Sequence, residues 1–265
     1  MRLNENTQII GKHVNLVPYE PKHVSKYHNW MQSRELQQLT ASEPLTLEKE
    51  YEMQKTWRMD HDKCTFLILC WKKYETTKDE NKALIGDTNL FLHTEQDSGE
   101  KVAEIEIMIA EPDMRGKGLG WESTLLMLKY GVKYLNVKKF VAKIGIDNVA
   151  SIRMFQKIEF QEEARSKVFN EVTLYRRVNE KWLKWLDGQA IARGPSIGMV
   201  CKTSSSSWRA RCKCTSIQQG TLGSGGCIAC VYVRVLDPVQ VPAAGVPLGP
   251  DGTEPAPPLL VTLEF

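Results

Sequence analysis

The stretch from Val102 to Gly120 constrains the fold of this chain more than any other. In Val102-Ala103-Glu104-Ile105-Glu106-Ile107-Met108-Ile109-Ala110, Ile105, Ile107 and Ile109 share one face while Glu104 and Glu106 project from the other. That is the period-two pattern of a strand with one buried face. After Pro112 comes Arg115-Gly116-Lys117-Gly118-Leu119-Gly120, and then Trp121, Leu125, Leu128 and Val132 return at helical spacing. A strand that feeds a helix through a glycine loop aims unpaired backbone N–H groups and the positive end of the helix dipole at one place, and an anion such as a pyrophosphate satisfies both. Two common phosphate loops are excluded by spacing. No Ser or Thr follows a Gly-Lys pair to hold magnesium, and Gly118-x-Gly120 lacks the third glycine of a dinucleotide loop.

The surrounding sequence predicts a sheet domain with interspersed helices. His13 to Val17 alternates and stops at Pro18, Val24, Tyr27 and Met31 mark a helix, and Thr46 caps a second one reaching Trp57. The apolar runs Cys64 to Trp71, Ala83 to Leu92 and Val102 to Ala110 read as antiparallel strands, the last two joined through a turn at Asp97-Ser98-Gly99. Lys138 to Ile144 reads as a strand, Asn148 to Lys157 as a helix capped by Asn148, Ala164 to Phe169 and Val172 to Arg176 as closing strands, and Asn179 to Leu186 as a final helix. The expected fold class is α/β (α+β), a mixed, mostly antiparallel central sheet flanked by helices.

Composition divides the chain near residue 187. From Gly188 onward lie 10 of the 18 glycines and 8 of the 12 prolines, with runs such as Ser204-Ser205-Ser206-Ser207 and Pro255-Ala256-Pro257-Pro258. Residues 1–187 are therefore expected to form the folded domain and 188–265 a low-complexity, disordered tail. In that tail Cys212-x-Cys214 and Cys227-x-x-Cys230 approach the spacing of a zinc knuckle, but no strand or helix pattern frames them, and unligated thiols are expected. A net charge of +3 is too small to point to nucleic acid or an anionic membrane surface, and no apolar run is long enough to span a bilayer. With no secretory leader in Met1-Arg2-Leu3-Asn4-Glu5-Asn6, the expected compartment is the cytoplasm, the nucleus being the alternative. The five histidines show no ligand spacing, and no metal is expected. Nothing in the pattern speaks to oligomeric state.

Arg115-x-x-Gly118-x-Gly120 at a strand-to-helix junction resembles the GNAT superfamily of acetyl-CoA-dependent N-acetyltransferases. So does a second signature, Asn148-x-x-Ser151 with Phe155, Lys157 and Phe160. Thr40-Ala41-Ser42-Glu43-Pro44-Leu45-Thr46-Leu47-Glu48, Met108-Ile109-Ala110-Glu111-Pro112 and Ser151-Ile152-Arg153-Met154-Phe155-Gln156-Lys157 are most similar to its N-acetyltransferase 9-like branch, the resemblance running from Met1 to about Arg177.

The resemblance implies a GNAT-like fold that moves acetyl from acetyl-CoA to a protein or peptide amine, an N-terminal α-amine or a lysine. Met108, Ile109 and Ala110 would line the pantetheine and thioester, and Arg115, Gly116, Lys117, Gly118, Leu119 and Gly120 would hold the diphosphate. Asn148, Ser151 and Phe155 would flank the pantetheine arm, though Asn148 also reads as an ordinary helix cap. Glu104 is the expected base, acting through water with Glu106 as helper, since two carboxylates on one face raise each other's proton affinity. Three positions depart from the pattern. Phe155 stands where many relatives carry a tyrosine acid, Glu159 replaces the glycine common before Phe160, and Trp121 takes the place of a small or hydroxylated residue. Without that acid the alternative is a catalytically weak CoA-binding interaction module. The acceptor would lie against Glu35 to Pro44 and Ser166 to Glu171, where no pattern names a side chain.

Overall fold

The computed structural model describes residues 4–189, residue 191 and the backbone of 198–201. The strands are β1 (Thr7–Ile10), β2 (Val14–Pro18), β3 (Lys63–Cys70), β4 (Leu84–Thr94), β5 (Lys101–Ile109), β6 (Lys139–Gly145), β7 (Gln161–Ser166), β8 (Glu171–Arg177) and β9 (Gly198–Cys201). The helices are α1 (Val24–Met31), α2 (Arg34–Leu39), α3 (Leu47–Met59), α4 (Trp71–Thr77), α5 (Glu80–Ala83), α6 (Leu119–Leu135), α7 (Val149–Lys157) and α8 (Glu180–Gly188). Among the described residues the strands form one sheet in the order β7-β8-β6-β5-β4-β3-β2-β1-β9. Every neighbouring pair is antiparallel except β5 and β6, which run parallel.

Two apolar clusters cover the two faces of the sheet. Leu125, Leu126 and Leu128 of α6, Phe155 of α7 and Trp182 of α8 pack with Ile105, Phe140 and Leu174 on one side. On the other, Val24, Tyr27 and Trp30 of α1 and Leu36 of α2 pack with Leu67, Leu69 and Met108. Strand β3 is buried along its whole length, which is why Cys64 to Cys70 reads as a continuous apolar run rather than an alternating one. Asn179 caps α8, its side chain accepting from the Trp182 N–H at 2.9 Å, and the fully buried Trp182 indole donates to Ile158 O at 3.0 Å.

Several local expectations shift. The strand expected at Ala164 to Phe169 lies at Gln161–Ser166, because residues 167–170 form the β7–β8 turn, with Asn170 left-handed at φ +49°. Between the apolar runs that end at Trp71 and begin at Ala83 lie α4 and α5, for which no apolar stripe was visible, and Asp79 caps α5 by accepting from the Lys82 N–H. Strand β1 and helix α2 were too short to stand out. Past residue 187, Ile191 is buried and accepts from the Lys12 N–H at 2.8 Å. Gly198–Cys201 pairs with β1. The other tail features, including Cys212, Cys214, Cys227 and Cys230, lie outside the described residues.

Candidate active site

Strands β5 and β6 pair only over Val102–Glu104 and Lys139–Val141, and beyond those residues they separate. A gap thus opens beside the second half of β5. Ala110 donates its N–H to Ile85 O on the β4 side at 2.8 Å. Backbone groups alternate sides along a strand, so the N–H groups of Ile107 and Ile109 point into the gap. Met108 and Ala110 are buried against the α1 side, while Ile109 packs against the α6 side.

The glycine loop lies just beyond that gap. Gly116 and Gly118 are left-handed at φ +71° and +77°, and Gly118 is the residue at which α6 begins. A Cβ at either would meet nothing within 4 Å, so the glycines are required by backbone conformation and the loop's outer face is open. Lys117 is exposed and Leu119 buried, and a Cβ at Gly120 would meet the Ile109 side chain at 3.5 Å. The Arg115 guanidinium donates from Nε to Ile109 O at 2.9 Å and pairs through Nη1 with Glu35 of α2 at 2.6 Å. It ties the loop to β5 and α2.

Glu104 and Glu106 face the α1 side of the sheet. The Glu104 carboxylate pairs with Lys143 of β6 at 2.9 Å, and that pairing raises the lysine's proton affinity. Glu106 is open to solvent, yet the protein around it thins its hydration and pushes its proton affinity above the usual carboxylate range. Lys63 opposes that shift, while Asp87 and Glu104 reinforce it. Asp87, buried on β4, is pushed up to about 6 by desolvation. Lys63 on β3 is shifted down by its own burial, with its ammonium 3.1 Å from the centre of the Trp57 ring.

The structure brings Glu104, Glu106, the 108–110 backbone and the glycine loop to one gap. Asn148 accepts from the Ser151 N–H at 3.2 Å and so serves as the cap of α7, with both residues partly exposed. Phe155 is 2% exposed and packs edge-on against Phe160 in the core, where a ring without a hydroxyl leaves no polar group to satisfy. Trp121 packs against Trp185 of α8, and Glu159 holds the left-handed conformation, φ +67°, that a glycine would take there. Sequence reasoning missed Lys63, Asp87, Asn89 and Lys143. Asp87 and Asn89 interrupt the apolar run Ala83 to Leu92 two residues apart, a signal of polar groups on one face of a buried strand.

Glu20, His23 and Glu80 bring three potential metal-ligand atoms together. The Lys22 ammonium bridges both carboxylates, and His23 accepts the Glu20 N–H at Nδ1 with its Nε2 3.2 Å from Glu80. Both ring nitrogens are therefore engaged within the protein. Among the described residues no helix is long and apolar enough to cross a membrane.

A mostly antiparallel sheet that splits at its one parallel pair, beside a glycine loop opening a helix, defines an acyl-CoA-type transferase. Residues 13–161 match the acetyltransferase (GNAT) domain family, and the chain belongs to that family of acetyl-CoA-dependent N-acetyltransferases. It is 53% identical over 195 residues to alpha/beta-tubulin-N-acetyltransferase 9 of Drosophila melanogaster, covering 73% of this chain and 98% of that protein. It is 55% identical over 189 residues to the Homo sapiens protein of the same name, covering 70% and 90%. An N-acetyltransferase 9-like protein of Nematostella vectensis is 48% identical over 175 residues, covering 66% and 87%. The fold is shared with Vibrio cholerae spermidine N-acetyltransferase, solved with CoA and spermine (TM-score 0.53, 20% identity, 64% and 98% covered). It is shared too with RimL, a ribosomal L7/L12 alpha-N-protein acetyltransferase (TM-score 0.53, 17% identity, 65% and 95% covered).

Proposed function

We propose that this chain transfers acetyl from acetyl-CoA directly to a protein amine, with the N-terminal α-amine of a tubulin chain as the first acceptor to test. The names of the relatives at 53% and 55% identity motivate the tubulin acceptor, which would set the reaction in the cytoplasm. The observation that carries the proposal is the meeting of an open glycine loop with a carboxylate face at the gap between β5 and β6.

The residues fit acetyl-CoA as co-substrate. When bound, it supplies the thioester that an amine attacks. The amides from Arg115 through Gly120 hold the diphosphate, with Lys117 as its counter-charge, because the loop's positive-φ glycines leave no side chain in the way. The N–H groups of Ile107 and Ile109 orient the thioester carbonyl from rigid backbone, which costs little reorganisation. By the family resemblance Asn148 and Ser151, at the start of α7, would flank the pantetheine arm.

A cationic amine must lose a proton before it attacks. The family resemblance favoured Glu104 as the base; we assign the role to Glu106 instead, because Glu104 is paired with Lys143 while Glu106 has the raised proton affinity that suits a base working near neutral pH. Glu104 and Lys143 then form the wall beside it. Positioning of the two reactants supplies much of the rate. The departing thiolate takes its proton from solvent, since Phe155 has none to give.

The test is release of CoA thiol from acetyl-CoA by purified protein with tubulin or its N-terminal peptide, for wild type, Glu106→Gln and Glu104→Gln. Glu106→Gln should lower kcat at least a hundredfold and Glu104→Gln much less, with cofactor affinity kept in both. Tight CoA binding without turnover by the wild type would instead favour an interaction module.

A further inference from the structure

Behind Glu106 lies a set of polar side chains that acetyl transfer does not directly use. Thr65 on β3, Asn89 on β4 and Glu106 on β5 are cross-strand partners in one row of the sheet. Asp87 lies on the same face one row away, and Lys63 one row away in the other direction. The Thr65 hydroxyl donates to Asn89 Oδ1 at 2.6 Å. With its oxygen held, the amide turns its N–H groups toward the two acids. Asn89 Nδ2 is 2.9 Å from Asp87 Oδ2 and 3.5 Å from Glu106 Oε2. Thr65, Asp87 and Asn89 are each less than a tenth exposed. The Lys63 ammonium is caged between the rings of Trp57 and Phe91. One cation faces two carboxylates, so with every group ionised the set carries a surplus negative charge that one added proton balances.

We propose that Asp87, Asn89 and Lys63 are positioning residues of this reaction. Asn89, turned by Thr65, ties the Asp87 and Glu106 carboxylates together, and Asp87 and Lys63 set, in opposite directions, the pH at which Glu106 accepts the amine's proton. This rests on the reading of Glu106 as base. In the step itself Glu106 Oε takes one proton from the ammonium, the freed nitrogen lone pair forms the new C–N bond, the C–S bond breaks to release CoA as its thiolate, and the second N–H proton passes through solvent to that thiolate. The proton then leaves Glu106 for solvent. Asp87 and Lys63 touch neither reactant.

The charges around Glu106 come from every neighbouring element. Lys63 faces it from β3, Asp87 from β4, Glu104 along its own strand and Lys143 from β6. Tyr27 of α1 faces both Asp87 and Glu106, and Asp60, just before β3, acts on Lys63. Asp87 and Lys63, which lie away from the β5–β6 gap, are a pair whose removal has opposite sign. A like charge at this range raises a carboxylate's proton affinity and an opposite charge lowers it.

The experiment follows the Glu106 carboxyl carbon by NMR titration in the full chain labelled at glutamate, the resonance being assigned by its loss in Glu106→Gln. The pH profile of kcat/KM is measured alongside. Asp87→Asn should lower the Glu106 midpoint and the acid limb of the profile by roughly one pH unit, and Lys63→Met should raise both by about as much. Lys63→Gln replaces Lys63→Met if the latter does not fold. A role confined to packing would lower activity at all pH values and move neither midpoint. Midpoints that stay put while Glu106→Gln abolishes turnover overturn the proposal alone. Turnover untouched by Glu106→Gln overturns the proposal and the reading beneath it.

Discussion

Lys143 Nζ on β6, two residues past the last pair joining the two strands, lies 2.9 Å from the carboxylate of Glu104, the β5 member of that pair. The side chains thus bridge the gap where the backbones part. The pair is partly exposed, so its worth to folding is below about 1 kcal/mol. Its larger effect is electrostatic. Lys143 holds down the proton affinity of Glu106, and Glu104 raises it.

Lys143→Met therefore removes a cation and leaves Glu104 bare beside the base. Glu106 then stays protonated to higher pH, and kcat/KM should fall several-fold near pH 6.5 while changing little near pH 8.5. Thiol release at the two pH values measures this. An equal fall at both would show that Lys143 does not act through Glu106.

Gly118→Ala places a methyl on a residue at φ +77°, where an L side chain costs about 1–2 kcal/mol. No neighbour clashes, so the fold should survive with a modestly lowered Tm. Relaxation of the loop away from that φ misaims its amides, and the Kd for acetyl-CoA should rise at least tenfold by calorimetry. Unchanged affinity would remove the loop from cofactor binding.

Asp87 ties the cleft to stability. Its folded proton affinity, shifted up to about 6 from 3.8, means the folded state binds that proton more tightly than the unfolded chain does. The contribution is unfavourable by roughly 3 kcal/mol above pH 6 and fades as pH falls toward 4. Asp87→Asn should accordingly stabilise the protein in urea at pH 7.5, with the gain shrinking by pH 4.5. A gain independent of pH would contradict the burial of an ionised Asp87.

Glu159 holds φ +67° while its carboxylate pairs with Arg176 at 3.2 Å. Glu159→Gly should relieve the backbone and lose a partly exposed ion pair, for a net stabilisation of up to about 1 kcal/mol. Denaturant unfolding measures it. Destabilisation would mean that the Arg176 pair outweighs the backbone term.

The parts of this fold legible in the sequence are those with a strong local period or a glycine requirement. The alternation at Ile105, Ile107 and Ile109 marked β5, Asn148 and Thr46 marked helix starts, and the left-handed Gly116 and Gly118 marked the loop. Short elements with mostly exposed faces, such as α4, were hidden because Trp71 to Thr77 buries no residue and leaves no apolar stripe. The pairing of Glu104 with Lys143 was invisible for another reason. The two residues meet through β5–β6 register, which only the folded sheet defines. Asn89, Asp87 and Lys63 likewise become one group only across three strands.

Acetyl transfer is measured most directly by incubating the full chain with acetyl-CoA and tubulin, then counting released thiol against acetylated α-amine by mass spectrometry. The expected result is one thiol per acetyl group gained, lost in Glu106→Gln while acetyl-CoA still binds. Cofactor binding with no acetylated amine on any tubulin chain, or full turnover in Glu106→Gln, would contradict it.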